Sequence, residues 1–383
     1  MSGPAETFDV AVIGGGIIGC AIAWELARRG PRVVLLERER LAAGASGAAA
    51  GMLAPQSEAQ GPGAWLDLLL RARDGWTEVS EELRAETGVS VEYQRGGVLR
   101  VAMNAEERAE LVARVAWQRE LGLEVEWLAT GEACRREPAL SPEVAGALWA
   151  PREAQLRPAR AVQALAAAAA AKGVVVREGQ AVYGALRSGR RVSGVSTSAG
   201  IIHCGAVVAA AGAWSAWLPE LAGLPLGPVK GQIVAAQVPP EGGPRHIVWG
   251  RGAYITPKAG GELFIGATEE EGVFDARPTL GALAGLVTRA SQLVPCISHL
   301  PLLTSWAGLR PALPDRLPVL AASPELQGLY VATGHFRNGI LLGPLSGRLM
   351  AQLVTGEATD VDLAPYSLTR ATLAAGFQGR TAA

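Results

Sequence analysis

Phe8-Asp9-Val10-Ala11-Val12-Ile13-Gly14-Gly15-Gly16-Ile17-Ile18-Gly19 is the stretch that decides the fold of this chain. The first six residues read as a buried strand. Cys20-Ala21-Ile22-Ala23-Trp24-Glu25-Leu26-Ala27 follows as an apolar helix. One strand later, Arg32-Val33-Val34-Leu35-Leu36 ends in Glu37, eighteen residues beyond Gly19. Strand, Gly-x-Gly-x-x-Gly turn, helix, second strand and closing acid make up a dinucleotide-binding fingerprint in its full context. Gly14 permits the tight turn, Gly16 lets backbone approach a pyrophosphate, and Gly19 lets the helix pack on the strand. The helix N-terminus offers N–H groups and the positive end of its dipole to phosphate. Glu37 is placed to accept hydrogen bonds from a ribose diol.

The chain has 383 residues, 49% apolar and 19% charged, with a formal net charge of −1. That length suits two domains with real cores. No basic stripe suggests nucleic acid, and no acidic tail suggests a solvating role. Cys20, Cys134, Cys204 and Cys296 are far apart and form no metal-ligand spacing with histidine. They read as free buried thiols in a reducing cytoplasm, the expected location. The N-terminus carries no secretory pattern, and the longest apolar run, Ala164 to Ala171, is too short to cross a bilayer. No membrane partner is expected.

After Glu37 the regular βαβ alternation stops. A small-residue segment, Gly44-Ala45-Ser46-Gly47-Ala48-Ala49-Ala50-Gly51-Met52-Leu53, reads as backbone lying against a ligand, with a flexible linker as the alternative. Residues 64–88 show helical spacing through Trp65, Leu68, Leu69, Ala72 and Trp76. Val91–Gln94 and Gly97–Val101 read as strands, Ala105 to about Leu121 as a helix, and Glu124–Trp127 as a short strand. Arg157-Pro158 opens a helix over the alanine run, stopped by Gly173. Val174–Arg177 is a strand, and Val192–Val195 with Gly200–His203 suggests a hairpin. Ala206–Ala211 is a second buried strand, ending at Gly212 where ligands gather in open α/β sheets. Ala253–Pro257 and Glu262–Gly266 flank a Gly-rich turn as a hairpin, with Tyr254 and Thr256 on one face and Ile255 on the other. Gly328–Thr333 is a strand feeding Gly334-His335-Phe336-Arg337-Asn338-Gly339-Ile340-Leu341-Leu342-Gly343-Pro344, with a helix from about Leu345 to Val354.

Nucleotide-domain elements are therefore split into three blocks with β-rich material between them. Four segments carry a resemblance: Val12–Gly19, Ala48–Leu53, Trp306-Ala307-Gly308-Leu309-Arg310-Pro311, and Gly334–Leu342. On these the chain resembles the glycine oxidases, flavoenzymes of thiamine biosynthesis related to D-amino-acid oxidase and sarcosine oxidase. The resemblance runs nearly end to end. It implies a mixed α/β fold: a glutathione-reductase-like, Rossmann-type FAD domain over residues 1–88, 151–227 and 312–383, and an antiparallel-sheet substrate domain over 89–150 and 228–311.

The resemblance also implies roles for matched positions. Gly14, Gly16, Ile17, Ile18 and Gly19 form the pyrophosphate turn, and Glu37 with Arg38 holds the adenosine ribose. Ala45, Ser46, Ala50, Gly51 and Met52 run past the diphosphate and flavin, and Val182 meets the adenine through its backbone. His335, Phe336, Arg337, Asn338, Gly339, Ile340 and Leu341 wrap the isoalloxazine, where the helix dipole favours a reduced flavin anion. His335 reads as structural. Arg310 clamps a substrate carboxylate with two parallel hydrogen bonds, and Tyr254 donates its phenol to the same group. Arg337 sits at the pocket edge, serving substrate or cofactor.

The implied reaction is oxidation of glycine, or another small amine or D-amino acid, by hydride transfer to flavin N5. The imine hydrolyses to glyoxylate and ammonia or passes to a thiazole synthase, and dioxygen leaves as hydrogen peroxide. A dehydrogenase for D-proline, another D-amino acid or sarcosine, using a different electron acceptor, is the alternative. No cysteine follows Cys296, so the FAD is expected to be non-covalent, and no metal is expected. A homo-oligomer, with a tetramer as one form, is implied by relatives. Glu269-Glu270-Glu271 departs from the pattern; Glu269 either helps place the substrate ammonium or restricts the amines accepted, or belongs to a solvated turn.

Overall fold

The computed structural model describes residues 7–239 and 242–373. The fingerprint folds as strand Thr7–Ile13, helix Ile17–Ala27 and strand Val33–Leu36. Thr7–Ile13 runs parallel to Val33–Leu36 on one side and to Gly200–Ala209 on the other. Val175–Arg177 extends the sheet beyond Val33–Leu36, and Leu329–Thr333 extends it beyond Gly200–Ala209, both parallel. Val319–Ala322 closes that edge antiparallel. Val182–Ser188 and Arg191–Thr197 add an antiparallel arm on Gly200–Ala209, giving eight strands. Strands from three separate stretches of sequence thus meet in one sheet.

Helix Ile17–Ala27 is buried nearly all round, which is why its sequence shows no polar face. It packs between helices Pro158–Ala171 and Gly339–Thr355. The second contact is backbone to backbone. A Cβ on Gly347 would come within 2.7 Å of the Ala21 carbonyl carbon, and one on Gly343 within 2.7 Å of Ile17 Cγ1.

Helix Gly339–Thr355 starts six residues earlier than its sequence suggests, because Pro344 lies inside it. Proline lacks the N–H that would bond the carbonyl four residues back, here Ile340. Trp76 supplies the missing donor: its Nε1 donates to Ile340 O at 3.1 Å and to Leu341 O at 3.0 Å. Trp76 itself is fully buried on helix Ala64–Thr87. Trp76→Phe keeps the ring bulk but removes the donor, so stability should fall by about 1–3 kcal/mol, read as a lower denaturant midpoint at unchanged m-value. An unchanged midpoint would remove this account of the proline.

The second sheet has nine strands built around the long strand Gly227–Gln237, which pairs antiparallel with Leu302–Ala312 and with Glu262–Gly266. In the hairpin Ala253–Pro257/Glu262–Gly266 the alternation expected from sequence holds. Ile255 packs with Leu99 and Ile265, while Tyr254 lies in the other layer with Trp249 and Phe264. Among the described residues no helix is long and apolar enough to cross a membrane.

Four further local readings differ from the structure. Val91–Gln94 is not a strand; Glu92 takes φ +56°, and only Gln94 bridges, to Gln155. Val182–Ser188 is a strand that the sequence hides, since neither of its faces is consistently apolar. Gly200 to Ala209 is a single strand. All four thiols are free, but only Cys20 and Cys204 are buried; Cys134 and Cys296 are half-buried.

Candidate active site

A cavity of about 480 Å³ opens at the carboxyl end of the parallel sheet and extends to the face of the antiparallel one. Its floor begins at the glycine turn. Gly14 takes φ +112°, and a Cβ there would lie 2.4 Å from Ala210 O. A Cβ on Gly19 would lie 1.9 Å from Gly14 O, so the helix can start this close to the strand only without a side chain. Gly14, Gly16, Ile17 and Ile18 line the cavity, whereas Gly19 does its work behind them. Ser46 Oγ accepts the Ile17 N–H at 2.9 Å, tying the small-residue segment to the turn. That segment includes the short helix Ala45–Ala48, and Ala45, Ser46, Ala50, Gly51 and Met52 all line the cavity, so the ligand-contact reading fits better than a linker.

Glu37 also lines the cavity, and it buttresses the turn: Oε2 accepts the Gly15 N–H at 2.7 Å and Oε1 the Glu39 N–H at 2.9 Å. A ribose diol would share this carboxylate with those amides. Arg38 lies flat on Trp214, 4.0 Å from the ring centroid, and both form one wall with Val182 and Gly212.

The opposite end is built by residues 335–340. Phe336 takes φ +49° and lies under the Arg316 guanidinium. His335 Nε2 pairs with Ser346 Oγ at 3.0 Å, and burial pushes its pKa down to about 3, so the ring is neutral and structural. Arg337, Asn338, Gly339 and Ile340 line the cavity; Leu341 does not, and instead presents its carbonyl to Trp76. Two long helices therefore begin at this cavity. Neither has a side-chain hydrogen bond from its own N-cap residue, Gly16 or Asn338. Ser46 already takes the Ile17 N–H; the other first-turn N–H groups have no carbonyl a turn earlier in the helix, so both ends offer donors and positive dipole to an anionic ligand.

Arg310 and Tyr254 meet at this end. The Arg310 guanidinium lies over Gly231, where a Cβ would come within 2.2 Å of Nη2, and Nη1 donates to Thr268 O at 3.0 Å. The Tyr254 ring lies in the same way over Gly266, with 2.6 Å between its hydroxyl and a hypothetical Cβ. Burial raises the Tyr254 pKa, so the phenol keeps its proton and can donate.

Arg337 is held differently. Its Nε lies 3.2 Å from Glu58 Oε1 and its Nη1 donates to Glu269 Oε1 at 2.5 Å. Burial works against its charge, but the two carboxylates outweigh that and hold its pKa above the ordinary value. Glu269 is thus ion-paired to Arg337 from a stretch outside any helix or strand, with 44% of its side chain exposed. Two guanidinium groups lie over the indole of Trp249, Arg337 at 5.1 Å and Arg100 at 4.5 Å from the ring centroid. Glu58 and Trp249 carry no sequence signal. The first sits on the four-residue helix Pro55–Glu58 and the second on strand Ile247–Gly250, and only tertiary packing brings them to Arg337.

This is the architecture of a flavoprotein oxidoreductase: a Rossmann-type nucleotide cradle at one end of a cavity and a guanidinium–phenol pair at the other. The chain belongs to the FAD-dependent oxidoreductases of the DAO family, whose model matches residues 9–353. It is 42% identical to a glycine oxidase of Geobacillus kaustophilus over 95% of this chain and 97% of that protein. It is 36% identical to hydrogen cyanide synthase subunit HcnC of Pseudomonas aeruginosa over 99% and 98%. The bifunctional protein ThiO/ThiG of a Nostoc species is 36% identical, over 95% of this chain and 55% of that protein. The fold is similar to the crystal structure of glycine oxidase from Geobacillus kaustophilus, with TM-score 0.92 and 41% identity over 95% and 99% of the two chains. It is also similar to L-proline dehydrogenase from P. horikoshii, with TM-score 0.86 and 29% identity over 95% and 97%. FAD is the cofactor. The glycine turn, the Ser46 segment and the two helix N-termini at the cavity fit a diphosphate and a ring system that gains negative charge on reduction.

Proposed function

We propose that this flavin-dependent amine oxidoreductase oxidises glycine, and with it other small amines and D-amino acids, by the non-covalent FAD held in the discontinuous domain 1–88, 151–227 and 312–383. The single observation that carries this reading is Arg310. It lies over Gly231 at the cavity wall, beside a protonated Tyr254, and among the described residues no carboxylate is paired with it. A guanidinium without a carboxylate partner, with a phenol next to it, suits one carboxylate and fixes the orientation of the attached carbon.

When bound, FAD takes two electrons from the substrate's Cα–H bond and gives them to dioxygen, which leaves as hydrogen peroxide. The chain's own part is to bind and orient. Arg310 and Tyr254 hold the carboxylate, and neutral His335 supports the loop that begins helix Gly339–Thr355 without taking a proton. The amine loses two electrons and two protons, all of which end in the peroxide, and becomes an imine; water then gives glyoxylate and ammonia. Fused ThiO/ThiG relatives support a second fate, transfer of the imine to a thiazole synthase.

Peroxide measured in air with glycine, sarcosine, D-alanine and D-proline tests this. Glycine should give stoichiometric peroxide. Flavin bleaching without peroxide would instead make the chain a dehydrogenase, and no bleaching by any of the four would remove the reading.

A further inference from the structure

The substrate end of the cavity holds more charge than glycine uses. Arg310 and Arg337 both line it, but glycine brings one carboxylate. Arg310 contacts a neutral carbonyl, Thr268 O. Arg337 commits one N–H on each donor edge to a carboxylate, Nε to Glu58 and Nη1 to Glu269. Glu58 approaches from the cavity side, with 18% of its side chain exposed, and Glu269 from the outer side, with 44% exposed. Trp249 braces the guanidinium with its ring. Adjacent residues therefore hold both arginines: Thr268 by its carbonyl, Glu269 by its carboxylate.

The acidic run is divided by task. Glu270 accepts from Gln232 Nε2 at 2.7 Å and from Thr268 Oγ1 at 2.6 Å, and Glu271 pairs with Arg316. Only Glu269 of the three is bonded to a cavity-lining arginine. With both carboxylates present, Arg310, Arg337, Glu58 and Glu269 sum to zero charge. Arg100 adds a cation over the same indole, tied to Ser57 O at 2.9 Å.

We propose that Glu269 is a positioning residue that sets the number of acid groups the substrate can carry to one. By occupying Arg337 it denies that cation to a second carboxylate, and its own charge repels one. The class refused is the secondary amine with two carboxylates, such as iminodiacetate, which is glycine with a second carboxymethyl arm on nitrogen. The inference rests on the glycine-oxidising reading. It makes selectivity a matter of one half-exposed side chain and not of cavity shape.

Glu269→Gln keeps the shape and removes the charge. The holoenzyme is assayed with glycine and iminodiacetate, and calorimetry reads binding of the non-oxidisable acids glycolate and oxydiacetate. The kcat/KM ratio of iminodiacetate to glycine should rise roughly tenfold or more, mainly through KM, and oxydiacetate should tighten to match. Glycolate affinity should stay within about threefold. Glu271→Gln removes the same charge two residues away and should leave the ratio unchanged. An unmoved ratio in Glu269→Gln, or an equal rise in Glu271→Gln, overturns the proposal. If the unmutated enzyme neither oxidises glycine nor binds glycolate, the failure lies in the underlying reading; intact glycine turnover with an unmoved ratio sinks only the role of Glu269.

Discussion

Replacing Arg310 with alanine is expected to lower kcat/KM for glycine by roughly thirtyfold to several-thousandfold, equivalent to about 2–5 kcal/mol. Among the described residues no carboxylate pairs with the guanidinium, which bonds only neutral groups such as Thr268 O, so its charge is not neutralised until substrate arrives. Removing it leaves the substrate carboxylate with the Tyr254 phenol and with Arg337, whose charge is already paired to Glu58 and Glu269. Gly231 leaves an open floor beneath the lost side chain, so no neighbour collapses to replace it. Flavin content should be unchanged, because the contacts of the Arg310 guanidinium are to Gly231 and Thr268 at the antiparallel sheet and not to the glycine turn. Arg310→Lys should recover only part of the loss, since an ammonium offers a point charge where two parallel donors are wanted. A variant that loses its yellow colour, or keeps its activity, would contradict this assignment.

Gly19→Ala should act through the cofactor instead. The added methyl would sit 1.9 Å from Gly14 O and 3.1 Å from Gly14 C, both backbone atoms that cannot rotate away. Either the first turn of helix Ile17–Ala27 moves outward or the Gly14 turn is displaced, and both change the phosphate cradle. Overpacking of this kind costs about 1–3 kcal/mol in stability, with strain at a backbone oxygen toward the upper end. The helix cannot yield easily, being enclosed by helices Pro158–Ala171 and Gly339–Thr355. The expected result is purified protein with little absorbance near the flavin bands and a lowered melting temperature. Full flavin occupancy in this variant would show that the turn tolerates displacement and that Gly19 is not a packing requirement.

The nucleotide cradle was legible because its signals are local. Glycine spacing, an apolar strand and an acid at a fixed distance all fall within thirty residues of Phe8, and each has one steric reason. Arg310 and Tyr254 became legible only through the resemblance, since an arginine on a strand announces nothing by itself. Glu58, Glu269 and Trp249 show the limit. Their partners lie on other elements, and nothing within a few residues of any of them marks the meeting at Arg337. The start of the last long helix was misplaced for a related reason. Pro344 and the glycines around it argue for a turn, and the donor that overrules them sits on Trp76, far away in sequence. Val182–Ser188 was missed because its burial has no clean period of two. Short-range pattern finds elements, whereas the pairing of charges and the rescue of a carbonyl depend on the finished chain.

The order of strands in the parallel sheet has a bearing on biosynthesis. The central strand Thr7–Ile13 is made first, but Ala210 N–H bonds Ile13 O at 2.8 Å, and Gly14 is moulded against Ala210. A nascent chain therefore cannot finish its phosphate cradle until residue 210 has left the ribosome, and the second helix end that faces the cavity emerges well over a hundred residues later still. Non-local closure of this kind is slow and leaves apolar strands uncovered in the meantime. Capture of the flavin thus waits until residue 339 has emerged, and the vitamin-derived cofactor can serve as a late clasp on a fold whose first strand has waited longest for its partners.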